Sequence, residues 1–145
     1  MTTKQLGIVS EYKAKLFFMS RGYTVCDPIG DNNRYDFLVE IKNNIFLRFQ
    51  CKTANFTRTP GCINFPCLSQ RHNETKGNYK VKYTKEEIDY FIIPTFENVY
   101  IVPVEKCASE CNLHLEPPKN GQKANIKMAE DYEGDKMLTE ILSLY

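Results

Sequence analysis

The sequence predicts a single α/β domain over residues 1–145, with a mixed central sheet and flanking helices. Residues 34–54 alternate with period two on either side of Asn43-Asn44, as a β-hairpin does. Residues 3–21 follow helical spacing, and Ile88–Pro94 and Val99–Val104 are strong β runs. A chain of 145 residues, 42% apolar and 26% charged, can bury a real core. It has no run approaching the roughly 20 apolar residues of a membrane span. Met1–Gln5 leads into an amphipathic segment with Glu11 and Lys13, not an apolar signal core, so a cytoplasmic protein is expected.

In the first helix, Thr2 or Thr3 can serve as cap, Leu6, Val9, Lys13 through its stem, Leu16 and Phe17 recur on one side, and Gly22 ends it. Gly7 and Ala14, one turn from Glu11, are small enough to let the helix approach the sheet, which would bring Glu11 near the hairpin. Tyr23–Cys26 is a short strand closed by a turn at Asp27–Asp31. Arg34 then enters the hairpin, where it meets a phosphate or pairs with Asp31.

The hairpin register follows from its side chains. A three-residue tip at Lys42–Asn44 sets Ile41 against Ile45, Val39 against Leu47 and Phe37 against Phe49, leaving one face wholly apolar. A two-residue tip would instead set Leu38 against Phe49 and Glu40 against Leu47, splitting the apolar residues between both faces. An Asn accepts the left-handed position such a tip needs. On the other face Asp36 lies beside Gln50, with Lys52 one pleat further on. Cross-strand Cβ atoms are about 4.5–5.5 Å apart, so this patch can share one hard divalent cation, with Lys52 on a phosphate oxygen or an attacking water.

Beyond the hairpin, Asn55–Gly61 is a loop, and Ile63–Leu68 is an edge or bulged strand because of Pro66. Ser69–Lys82 shows no hydrophobic period and is expected to be a mobile loop. Thr84–Glu87 reads as a turn, and the two β runs, joined by Thr95–Asn98, read as central strands. A short helix is expected over Glu105–Cys111, a short strand at Leu113–Leu115, and a last helix capped by Asp135 and carrying Met137, Leu138, Ile141 and Leu142.

Asp36 and, after thirteen intervening residues, Gln50-Cys51-Lys52 resemble the PD-(D/E)XK nuclease core. The wider pattern includes Gly7-x-x-Ser10-Glu11-x-x-Ala14, Tyr35-Asp36-Phe37, Asp89-Tyr90-Phe91, Val99–Val104, Leu115–Gln122 and Ala129–Glu133. Taken together it is similar to the branch containing group I intron homing endonucleases, related to Holliday-junction resolvase-like nucleases. Tyr35 stands where the superfamily name has Pro. Gln50 stands where it has Asp or Glu, and gives an oxygen ligand with one charge fewer. The resemblance implies a restriction-endonuclease-like core and Glu11, Asp36, Gln50 and Lys52 as catalytic residues. It also implies Mg²⁺, with Mn²⁺ as a substitute, held by Asp36, Glu11, Gln50 and the main-chain carbonyl of Cys51.

The charges are segregated. Residues 42–85 hold nine Lys or Arg against the single acid Glu74, a net of +8, while residues 86–145 carry a net of −7. Such a field attracts a polyanion. Double-stranded DNA is the expected partner, met around residues 55–85 by Arg58, Ser69, Arg71, His72, Lys76, Lys80 and Lys82, together with Arg34.

Rival chemistries have less behind them. Cys62-x4-Cys67 and Cys107-x3-Cys111 could supply four zinc thiolates, but neither is a tight CxxC. Without a secretory signal, free thiols are expected. Neither His72 nor His114 has the context of a Cys-His hydrolase, and the glycine-rich phosphate loop and GxSxG are missing. Two classes remain: a metal-dependent DNA endonuclease, either a site-specific homing enzyme or a junction resolvase, and an inactive DNA-binding or inhibitory protein on the same fold, suggested by Gln50. A double-strand break needs two catalytic patches, so a homo-oligomer, dimer or tetramer, is expected. The resemblance implies a prokaryotic, phage or mobile-element host cell.

Overall fold

A computed structural model describes residues Met1–Tyr145. Helix α1 (Thr3–Met19) is followed by strands β1 (Thr24–Cys26), β2 (Phe37–Lys42) and β3 (Ile45–Cys51). Next come β4 (Cys62–Pro66), β5 (Leu68–Asn73), β6 (Gly77–Lys82), β7 (Tyr90–Pro94) and β8 (Val99–Pro103). A 3₁₀ turn at Val104–Lys106 leads to β9 (Glu110–His114) and β10 (Lys127–Met128). A second 3₁₀ turn, Ala129–Tyr132, precedes α2 (Gly134–Ser143).

The central sheet runs β1-β2-β3-β7-β8 and is mixed, because β3 and β7 are parallel while its other pairs are antiparallel. Both helices pack on one face, where Phe18, Phe37 and Phe49 form an aromatic core with Ile92, Ile101 and Ile141. The opposite face is covered by the small sheet β10-β9-β4, and Ile63, Phe65, Phe91, Ile93 and Leu113 fill that layer. Phe91 and Ile92 point to opposite faces yet are both 0% exposed, which explains the unbroken apolar run of β7.

The hairpin register is as the side chains predict at Val39–Leu47 and Phe37–Phe49. The tip differs: Lys42 pairs with Ile45 across Asn43-Asn44, and the odd residue is absorbed as a bulge between Glu40 and Lys42. Asn44 takes the left-handed conformation (φ 67°). On α1, Thr2 forms a capping box with Gln5. Of the face expected to turn to the sheet, only Phe17 does so. Ser10, Ala14, Phe17 and Phe18 are buried, whereas Leu6, Val9 and Leu16 are exposed, because short side chains let two phenyl rings reach the core. Gly7 has open space where a Cβ would stand, so it makes no close approach.

Ser69–Lys82 is not a loop but the two-stranded hairpin β5-β6, paired from Leu68–Lys82 to Asn73–Gly77. Its turn is set by Asn73, whose side-chain oxygen accepts from the Thr75 and Lys76 amides, and by Gly77 at φ 70°. β8 is an edge strand, not a central one, although its middle is buried. The short helix expected over Glu105–Cys111 does not form: the chain makes one 3₁₀ turn at Val104–Lys106, and β9 has begun by Glu110. Asp135 lies inside the first turn of α2 and makes a two-pronged ion pair with Arg21 in place of a cap. Cys62 meets His114 (Sγ to Nδ1 3.3 Å), whereas Cys67, Cys107 and Cys111 sit in the second core, so the four cysteines do not converge as one zinc site.

Candidate active site

Backbone pairing builds the site at the carboxyl end of β3. The Asp36 amide donates to the Phe49 carbonyl (2.8 Å), and the Asp36 carboxylate accepts from the Cys51 amide (2.8 Å). The Lys52 amide donates to the Ile92 carbonyl (3.0 Å), anchoring this end of β3 to β7. Phe37, Phe49 and Cys51 face the helical core, so Asp36, Gln50 and Lys52 share the other face.

Asp36 borders two clefts. One, about 310 Å³, is lined by Glu11, Lys15, Asp27, Asp31 and Tyr35 among others. The second, about 490 Å³, is lined by Arg34, Gln50, Ser69, Arg71 and Tyr83 among others. The carboxylates of the first cleft and the cations of the second thus meet at Asp36. Lys15 holds the first cleft together, 3.8 Å from Glu11 and 2.8 Å from Asp27.

Burial raises the Asp36 carboxyl to about 6; the Cys51 amide opposes this, and the nearby Glu11 charge adds to it. Burial lowers the Lys52 ammonium, against the pull of Asp36. Lys52 Nζ donates to the Leu68 carbonyl (3.3 Å) and lies 3.5 Å from the Tyr83 hydroxyl. Burial pushes the Cys51 thiol up, so it stays protonated, and only its carbonyl is available as a hard ligand. The Gln50 amide lies 3.4 Å from that carbonyl.

No group of three or more His, Cys, Asp or Glu side chains is arranged as a metal cage. The donors near Asp36 are nevertheless all oxygens: two carboxylates, one amide and one peptide carbonyl. That set fits a hard divalent cation which keeps water or phosphate in the rest of its shell. It does not fit a soft, thiolate-seeking metal.

The expected DNA-contacting residues fall into two groups. Arg71, His72, Lys76, Lys80 and Lys82 are exposed on the β5-β6 hairpin. The others are already engaged. Arg58 pairs with Glu110 (2.9 Å). Arg34 pairs with Glu87 (2.7 Å), not Asp31, and also donates to Ser69 Oγ and the Lys82 carbonyl. The contact of Arg34 Nε with Glu87 is off the N–H axis, so it is charge attraction more than an aligned hydrogen bond.

Sequence reasoning missed Lys15, Asp27, Tyr83 and Glu87 at this site. Tyr83 and Glu87 lie more than thirty residues beyond Lys52 with no motif around them, and only the fold of β5-β6 brings them back. Asp89, part of the family-like pattern, is structural: it accepts from the Arg48 amide (2.7 Å) and from its guanidinium.

The sequence matches the PD-(D/E)XK endonuclease family over residues 1–135. Among solved structures, the fold is similar to that of the bacterial homing endonuclease I-Ssp6803I, with a TM-score of 0.78 and 20% identity over 99% of this chain and 95% of that one. No curated protein sequence matches the chain.

Proposed function

The chain belongs to the PD-(D/E)XK endonuclease family, and from this we propose that it is a site-specific homing endonuclease that cuts both strands of DNA with Mg²⁺, or Mn²⁺ in its place. The observation that carries the reading is the placement of Asp36, Gln50 and Lys52 on one face, beside a hairpin built from the basic segment. DNA lies along that hairpin. Arg71, Lys76, Lys80 and Lys82, with His72, neutralise its phosphates, and the scissile phosphate reaches the junction of the two clefts.

Asp36 and Glu11, with the Gln50 amide oxygen and the Cys51 carbonyl, would hold the cation. When bound, such an ion lowers the pKa of a water and offsets charge on the phosphate. Lys52 Nζ, poorly solvated and held beside Asp36, binds a phosphate oxygen or takes up the proton of the attacking water. The two strands are cut by two copies of the chain. Their contact is made by the exposed α1 stripe Ile8, Tyr12, Leu16 and Met19, spaced at helical intervals. No helix is long and apolar enough to cross a membrane, and the site of action is the cytoplasm of the host cell.

A second reading is favoured by one residue. Gln50 removes a charge from the ligand set, as an inactive DNA-binding protein on this fold would tolerate. Incubating a supercoiled plasmid library and a synthetic four-way junction with Mg²⁺, Mn²⁺ or EDTA separates the readings. Metal-dependent cutting of a few plasmid sites, lost in Lys52→Ala, is the expected result. Preference for the junction would make the protein a resolvase, and tight salt-sensitive binding without cutting would favour the inactive form.

A further inference from the structure

Lys52 and Arg34 share one aromatic partner. Lys52 Nζ lies 4.8 Å from the centre of the Tyr83 ring and the Arg34 guanidinium carbon 4.0 Å from it, both within cation–π range. The ring is only 6% exposed and is braced edge-on by Phe91 at 5.5 Å. Two like charges on one ring repel each other, and Glu87 on Arg34 offsets that repulsion.

The two terminal nitrogens of Arg34 donate internally, its Nε faces the Glu87 carboxylate, and its side chain is 14% exposed. To reach a phosphate it would have to leave Glu87, Ser69 and the Lys82 carbonyl together. Ser69 belongs to β5, as does Leu68, whose carbonyl accepts from Lys52. Lys82 ends β6. The two cations therefore fasten the basic hairpin to the central sheet, Lys52 tying β5 to the end of β3 and Arg34 tying β5 and β6 to the segment that enters β2.

We propose that Tyr83, steadied by Arg34 and Glu87, is a positioning residue for Lys52 that ties the base of the β5-β6 hairpin to the candidate active site. Arg34 then serves the site by holding it, not by contacting DNA. This inference rests on Lys52 being catalytic, as proposed above.

The test has one readout independent of cleavage. In full-length protein labelled with [¹³C]lysine, the Lys52 ε-protons, assigned through Lys52→Arg, should be shifted upfield by the Tyr83 ring. The shift should survive in Tyr83→Phe, which keeps the ring, and vanish in Tyr83→Leu. On a plasmid that the wild-type protein cuts, Tyr83→Leu should slow single-turnover cleavage about ten- to a hundredfold, the scale of a catalytic group misplaced by about an ångström. DNA affinity should stay within about twofold and Tyr83→Phe within about threefold of wild type, since the cation–π contact is retained.

An unshifted Lys52 resonance in wild type, or full cleavage by Tyr83→Leu, overturns the proposal, and a Phe variant as slow as the Leu variant replaces the ring with the hydroxyl as the positioning group. If the Leu variant does not fold, Glu87→Gln decides: slower cleavage with unchanged binding supports the clamp, and unchanged cleavage overturns it. A shifted resonance together with normal cutting by Lys52→Ala would show that the clamp exists and that the catalytic reading of Lys52 is what failed.

Discussion

Asp36 is held in a conflict between burial and charge. Its carboxyl, raised from an ordinary 3.8 to about 6, binds a proton more tightly in the native state than in the unfolded chain. Its stabilising contribution is therefore complete below pH 3.8 and is lost as pH rises through about 6. At 1.36 kcal/mol per unit, the metal-free protein carries a cost of about 2–3 kcal/mol above that range. Asp36→Asn keeps an oxygen to accept from the Cys51 amide and carries no charge. It should be more stable than wild type by roughly 2 kcal/mol at pH 8 in EDTA and about equal at pH 4, while losing cleavage. Urea melts at the two pH values check this, and an Asn variant no more stable at pH 8 would refute the assignment. At this scale Asp36, Gln50 and Lys52 were legible because a two-residue period and one apolar face fix which side chains coincide. Tyr83 and Glu87 were not, because their approach to Lys52 depends on how a long crossover returns, which no local pattern encodes.

The β5-β6 hairpin shows where element-level reading stops. β5 is polar and mostly exposed, and β6 alternates only briefly, with Tyr79 and Val81 half-buried between exposed Asn78, Lys80 and Lys82, so a short period and the turn chemistry of Asn73 and Gly77 were the local signs of strand. Buried β7 and α2 announced themselves through apolar patterning. For α1 the pattern misled about which face is buried, since Leu6, Val9 and Leu16 lie outside while the two phenylalanines lie inside. Cross-strand pairing puts Lys80 opposite Gln70 and Lys82 opposite Leu68, so both lysines project from one face of the hairpin. Lys80→Ala and Lys82→Ala should each weaken DNA binding similarly for all sequences and reduce the salt slope by about 1, with folding intact. Binding titrations at several salt concentrations measure this, and an unchanged slope would take the hairpin out of the DNA path. The start of α2 is tighter. A Cβ on Gly134 would come within 2.7 Å of the Phe17 ring and 3.1 Å of the Val99 carbonyl. Gly134→Ala should cost about 1–3 kcal/mol through overpacking, seen as a lower thermal midpoint; an unchanged midpoint would mean that Phe17 moves aside freely.

At the scale of the whole molecule, each chain has one candidate site, and a double-strand break needs two. α1 connects these facts. Its inner side carries Ser10, Ala14, Phe17 and Phe18 into the core, and Glu11 lines the cleft at Asp36. Its outer side exposes Tyr12 at 70%, Leu16 at 62% and Met19 at 58%. Large apolar residues contiguous on an exposed helix are the signature of an interaction surface. An assembly through α1 would place a contact next to Glu11, so that the pairing of chains and the shape of the site are linked. Tyr12→Lys with Leu16→Glu should then convert the oligomer to monomer by analytical ultracentrifugation while leaving the melting profile of the single chain intact, because neither side chain is buried in it. On a supercoiled plasmid the same variant should accumulate nicked circles where wild type yields linear DNA. A wild-type protein that sediments only as monomer, with and without DNA, would remove the paired-chain reading, and an oligomer unaffected by the double substitution would move the contact to another surface.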